Sequence, residues 1–119
     1  MRVCKLLADH GGSVVIGNAN ACQDFNLTPT VVLNPLPDSA LMSTEIMGPV
    51  LAVITYKTID EAINFIKSKE KPMAIYYFGH NYINSNLTRV MNETSSGAFV
   101  VNECGYQAAS HDLPFGGVG

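Results

Sequence analysis

With 119 residues, 47% of them hydrophobic and 14% charged, the chain suits one globular domain and is too apolar for a disordered segment. Its formal net charge is −3 and it has no Lys/Arg cluster, which argues against a nucleic-acid partner because phosphate neutralisation needs a concentrated basic face. No apolar run reaches the roughly 18 residues that a spanning helix needs, so this segment carries no membrane span.

Val3, Leu6 and Leu7 recur at helical spacing and are followed by "DHGG", where Gly11 or Gly12 can take the left-handed conformation that ends a helix. "SVVIG" reads as a short strand, "ANACQDFNLTP" as a polar irregular stretch, "TVVLN" as a second strand and "PLPDS" as a turn. "PVLAVITY" is a near-continuous apolar run and predicts a strand over 50–56, buried on both faces. Thr58 with Glu61 three residues on predicts a capping box, in which the hydroxyl accepts from the Glu61 amide and the carboxylate reaches back.

Ile59, Ala62, Ile63 and Ile66 then form one helical stripe, Lys67, Lys69 and Lys71 suit the negative end of the dipole, and Pro72 stops the helix. "MAIYYFG" predicts a strand over 73–78. Ile83, Leu87, Val90 and Met91 predict a second helix, and "AFVVNE" a strand over 97–101. Strand, helix, strand, helix, strand with short connections means an α/β fold: a parallel sheet with flanking helices.

Two stretches carry possible chemistry. "STEIMGPV" puts Glu45 and Met47 in the loop that feeds the strand at 50–56. A solvated Glu and a gap-filling Met would explain it; alternatively, a carboxylate there accepts two ribose hydroxyls while an apolar neighbour packs on a flat ring. The tail "LPFGGVG" has glycines that let backbone approach a ligand or another chain closely, but it is no GxGxxG fingerprint.

Cys104 and His111 form a candidate nucleophile–base pair, although seven residues of separation guarantee neither contact nor a lowered pKa, and a structural or adventitious thiol fits as well. Cys4, Cys22 and Cys104 are odd in number and widely spaced, against a disulfide framework or a zinc site; a reducing, cytoplasmic location is the simpler expectation. The scattered histidines give no metal-ligand spacing, so no metal is expected.

"EIMGPV" resembles the "EIFGPV" element of aldehyde dehydrogenases, and "PFGGVG" the Gly-rich element near that family's C-terminal end. Between them "TIDEAINFIKSKEKPMAIYYF" and "NETSSGAFVVNE" look like the class-3 and fatty-aldehyde branch. The likeness spans residues 1–119 and corresponds to the C-terminal part of the catalytic domain, so the expected domain is a partial one, truncated at both ends. The resemblance implies oxidation of aldehydes to carboxylates with NAD or NADP. A Cys thiolate adds to the aldehyde, hydride passes to the nicotinamide, and a Glu-activated water releases the acid.

Carried over, Glu45 matches the Glu that holds the nicotinamide ribose, Met47 the aromatic residue near the nicotinamide, and Phe115 the Phe lining the substrate end of the pocket. Asn102 matches a frequent strand-end Asn. The nucleophilic Cys and the general-base Glu lie further upstream than the 44 residues before Glu45, so no catalytic residue is assigned and the isolated chain is expected to be inactive. Met47 stands where Phe is usual, Thr44 where an acidic residue is usual, and Ala98 where Gly is usual; "CGYQAASHD" also departs from the branch pattern. The implied partners are an aldehyde substrate and either a homo-oligomer or a full-length relative. The competing expectation is a non-enzymatic interaction module that associates with a full-length aldehyde dehydrogenase.

Overall fold

The computed structural model describes residues 2–18, 27–80, 84–114 and 116–118. The elements in order are α1 (Arg2–Leu6), β1 (Ser13–Ile16), β2 (Thr30–Leu33), α2 (Ala40–Ser43), β3 (Val50–Val53), α3 (Ile59–Lys67), β4 (Ala74–Tyr77), α4 (Ser85–Glu93), β5 (Ala98–Val101) and α5 (Tyr106–Ala109). They fall into two compact units, Met1–Thr55 and Tyr56–Gly119.

In the first unit, β2 lies between β1 and β3, antiparallel to the former and parallel to the latter. Alternation along β2 turns Thr30 and Val32 inward, where they are 1% and 0% exposed. Val50 of β3 joins them on that face, and α1 covers it with Val3, Leu6 and Leu7, helped by Leu27 and by Leu41 of α2. The opposite face stays open, with Leu51 and Ile16 59% and 61% exposed. Cys4 on α1 is disulfide-bonded, contrary to the reading of the cysteine count; an odd count excludes only complete pairing.

In the second unit, β4 and β5 pair in parallel, joined by α4. The capping box forms: the Glu61 amide donates to Thr58 Oγ1 at 3.4 Å, and the Glu61 carboxylate accepts from the Lys57 amide at 2.9 Å, one residue further out than the Thr58 amide. The helix ends at Lys67, so Lys69 and Lys71 lie beyond it. Ile63, 2% exposed, is the centre of its stripe. Asn84 caps α4, its Oδ1 accepting from the Leu87 amide at 2.7 Å. Leu87 and Val90 of the second stripe are buried, Met91 is exposed, and Ile83 lies outside the described residues. Arg89 bridges the two helices, donating to Asp60 of α3 and to Glu93 one turn on; this partnership holds the Glu93 carboxyl below its ordinary range.

The α/β class holds, and the parallel pairs are β2–β3 and β4–β5. Further details differ from the sequence reading, and β3 ends at Val53 rather than at residue 56. The sheet containing β3 also takes in an antiparallel strand, β1, and β3, β4 and β5 are half-buried rather than buried on both faces. Apolar runs report what a strand can bury, and in this chain only one face of β3 finds a cover.

Both parallel pairs end in the same device. Asn34 follows β2 and Asn102 follows β5, each in the left-handed region with φ 49° and 57°. The Asn34 amide donates to the Val53 carbonyl at 2.7 Å and its Oδ1 accepts from the Thr55 amide at 2.8 Å. The Asn102 amide donates to the Tyr77 carbonyl at 2.8 Å and its Oδ1 accepts from the Gly79 amide at 2.8 Å. Each Asn thus extends the ladder past its last residue and turns its own chain away. Asn tolerates this backbone better than Ala, at roughly 1–2 kcal/mol per residue. Asn102→Ala is expected to cost about 2 kcal/mol in urea denaturation, combining backbone strain with a lost hydrogen bond. Asn102→Gly should cost only the hydrogen-bond share, about 1 kcal/mol; equal losses for the two variants would exclude the strain component.

Candidate functional site

The loop from Thr44 to Pro49 is fixed at both ends. Before it, the one-turn helix α2 is seated by Leu41, 2% exposed, and closed by the Ser43 hydroxyl donating to the Ser39 carbonyl at 2.8 Å. After it, the Pro49 carbonyl accepts from the Thr30 amide at 2.9 Å, which starts the β2–β3 ladder. Between these anchors Ile46 is half-buried against the core, while Glu45 and Met47 on either side are exposed, Met47 by 74%. The plain expectation of a Met filling a gap between layers therefore fails: its side chain stands in solvent.

Met47 also has φ 45°. A left-handed residue other than Gly, Asn or Asp carries strain on the order of 1–3 kcal/mol, and such strain concentrates where a loop contacts ligands. Two guanidinium contacts help to keep it in place: Arg2 of α1 donates Nη1–H to the Glu45 carbonyl at 2.6 Å and Nη2–H to the Ile46 carbonyl at 2.5 Å. Sequence reasoning missed Arg2, since nothing local marks a bond to residues 43 and 44 positions away. The loop presents one carboxylate and one apolar side chain to solvent from a held backbone. Such a pair can accept hydroxyl hydrogens and cover the face of a flat ring.

In the second unit, a groove of about 730 Å³ lies beside β5, lined among others by Phe99, Gln107, His111 and Leu113. The Gln107 amide donates to Tyr76 Oη at 2.7 Å. The Gly-rich tail runs along the start of β5: a Cβ on Gly116 would overlap the Gly97 carbonyl, and one on Gly97 would lie 2.6 Å from the Met73 carbonyl. The glycines at 97 and 116 thus permit close approach of the chain to itself. Phe115, expected to line a substrate pocket, lies outside the described residues. Cys104 is free and exposed, and among the described residues it makes no hydrogen bond to His111. The described residues contain no group of three or more His, Cys, Asp or Glu able to hold a metal, and no helix long and apolar enough to cross a membrane.

The sequence profile of the aldehyde dehydrogenase family matches residues 1–119. This chain belongs to the aldehyde dehydrogenase family. It is 44% identical over 118 residues to aldehyde dehydrogenase family 3 member A2 of Rattus norvegicus, covering 99% of this chain and 24% of that protein. Its fold matches the substrate-bound state of Staphylococcus aureus AldH at a TM-score of 0.79 and 33% identity, over 97% of this chain and 25% of that one. A Pseudomonas syringae indole-3-acetaldehyde dehydrogenase mutant, solved in complex with NAD+, shares the fold at a TM-score of 0.71 and 23% identity, over 95% of this chain and 22% of that one. The chain spans about a quarter of the length of the aldehyde dehydrogenases it matches. The class-3 resemblance read from "TIDEAINFIKSKEKPMAIYYF" and "NETSSGAFVVNE" agrees with the family 3 relative.

Proposed function

We propose that the chain supplies the nicotinamide-ribose end of an NAD(P) site in an enzyme oxidising medium- or long-chain aliphatic or aromatic aldehydes to carboxylic acids. The observation behind this reading is the clamped loop with Glu45 and Met47 exposed and Ile46 turned inward. These residues fit the cofactor: an exposed carboxylate can accept from both ribose hydroxyls, and the exposed Met47 offers apolar surface beside a ring. When bound, the nicotinamide supplies the hydride acceptor. Glu45 would orient the ribose, and Met47 would shield one side of the ring from water.

The test is a chimera in which this chain replaces the matching quarter of the Staphylococcus aureus relative. Glu45→Gln removes a charged acceptor, a change on the order of 1.5–3 kcal/mol, and should weaken NAD+ binding by roughly ten- to a hundredfold. Met47→Phe restores a flat face and should tighten it by up to about tenfold. Unchanged affinity and rate in Glu45→Gln would leave the loop as a mere connection.

A second reading, an interaction module that docks on a full-length relative, is favoured by the open sheet face of the first unit and the two-stranded sheet of the second. Among the described residues, β4 and β5 each have one edge without a strand partner, a template for further pairing. Light scattering across a concentration series should then show self-association, and co-purification should recover an added full-length relative. A sharp monomer with a cooperative melt and no recovered relative would end this reading.

A further inference from the structure

We infer that Arg2 is a positioning residue for the loop that carries Glu45 and Met47, an inference that rests on reading this loop as the cofactor contact. The base of Arg2 is fixed, because its neighbour Val3 is buried in the core with 8% exposure. From there the guanidinium fork reaches two successive carbonyls, those of Glu45 and Ile46. Successive carbonyls in an extended chain point to opposite sides, so a single cation gripping both holds the chain bent at this point. The next residue is Met47, with φ 45°.

One residue further, Val3 packs over Gly48, where a Cβ would lie 2.8 Å from Val3 Cγ2. Arg2 and Val3 therefore hold residues 45, 46 and 48 from the same side. The side chains of Glu45 and Met47 stay free on the outside of the bend. All of the contact to Arg2 is to main chain, so it fixes the direction of Glu45 without occupying its carboxylate. This is preorganisation: the loop does not have to be ordered when a ligand arrives. Lysine cannot reproduce it, because an ammonium is a point donor without the planar fork.

The experiment uses the 119-residue chain and its Arg2→Ala, Arg2→Lys, Glu45→Gln and Arg2→Ala/Glu45→Gln variants. The backbone order parameters of residues 45–48 and the amide–Hα coupling of Met47 report the loop, and NAD+ titration of the same variants in the Staphylococcus aureus chimera reports binding. Arg2→Ala is expected to lower the backbone order parameters of Met47 and Gly48 to below about 0.6 while Val32 in β2 stays rigid, and to shift the Met47 coupling away from its left-handed value. Arg2→Lys should fall between Arg2→Ala and the parent chain.

NAD+ affinity should drop about fivefold or more in Arg2→Ala, and the double variant should lose less than the two single losses combined, because Arg2 acts in part through Glu45. Unchanged order parameters and coupling in Arg2→Ala overturn the inference, as do fully additive losses in the double variant. If Glu45→Gln alone leaves NAD+ binding of the chimera unchanged, the cofactor reading of the loop fails and the positioning role falls with it. That result is distinguishable, because the order parameter and coupling of Met47 still report whether Arg2 holds the bend.

Discussion

The 119-residue chain, mixed with NAD+ or NADP+ and either benzaldehyde or a fatty aldehyde, is expected to form no NAD(P)H above the uncatalysed rate. Aldehyde oxidation through a covalent adduct needs a thiolate and a positioned base. Cys104, the free thiol among the described residues, is exposed and makes no hydrogen bond to His111 there. The resemblance assigns the nucleophile and the general base to neither Cys104 nor any other residue of these 119. Loss of a nucleophile costs about four to six orders of magnitude in turnover, which places any residual activity below an ordinary spectrophotometric assay. The control is Cys104→Ser. Turnover that survives purification and disappears in that variant would overturn the expectation and make Cys104 the nucleophile of an independent thiol enzyme.

The sequence shows well what depends on neighbours within a turn or two. Thr58 and Glu61 announce the start of α3, and the stripe through Ile63 announces its buried face, because both signals come from residues three or four apart. The apolar runs mark β2 to β5 for a similar local reason. What local pattern leaves open is partnership. The antiparallel pairing of β1 with β2, the covering of only one face of β3, and the grip of Arg2 on the carbonyls of Glu45 and Ile46 all join distant residues. The loop at 43–50 stands out as a candidate site only through its resemblance to a family motif. Its bend does not, since a left-handed Met runs against backbone preference and is held by contacts from α1. Asn102 shows the intermediate case: its place at a strand end is visible in "AFVVNE", but its bond to Gly79 needs the neighbouring strand.

Leu41→Ala is expected to produce the largest stability loss in the first unit, about 2–5 kcal/mol in chemical denaturation, through lost burial plus the cavity left behind. Leu41 is 2% exposed and sits among Val3, Leu6, Leu7, Val32 and Val50, so the hole opens where α1 and α2 meet the sheet. A unit of this size has little surplus stability, and a loss of that order unfolds a large share of the molecules. Leu41→Met, which nearly conserves volume, should cost less than about 1.5 kcal/mol. Leu51→Ala, on the open face at 59% exposure, should stay within about 0.5 kcal/mol. The contrast between two leucines of one unit isolates burial from hydrophobicity as such. Because α2 leads directly into the loop with Glu45, Leu41→Ala should also lower the backbone order of Met47, while Leu51→Ala should not. Equal losses for Leu41→Ala and Leu51→Ala would mean that the second face of the sheet is covered in solution, and that outcome would turn the balance toward the docking reading of this chain.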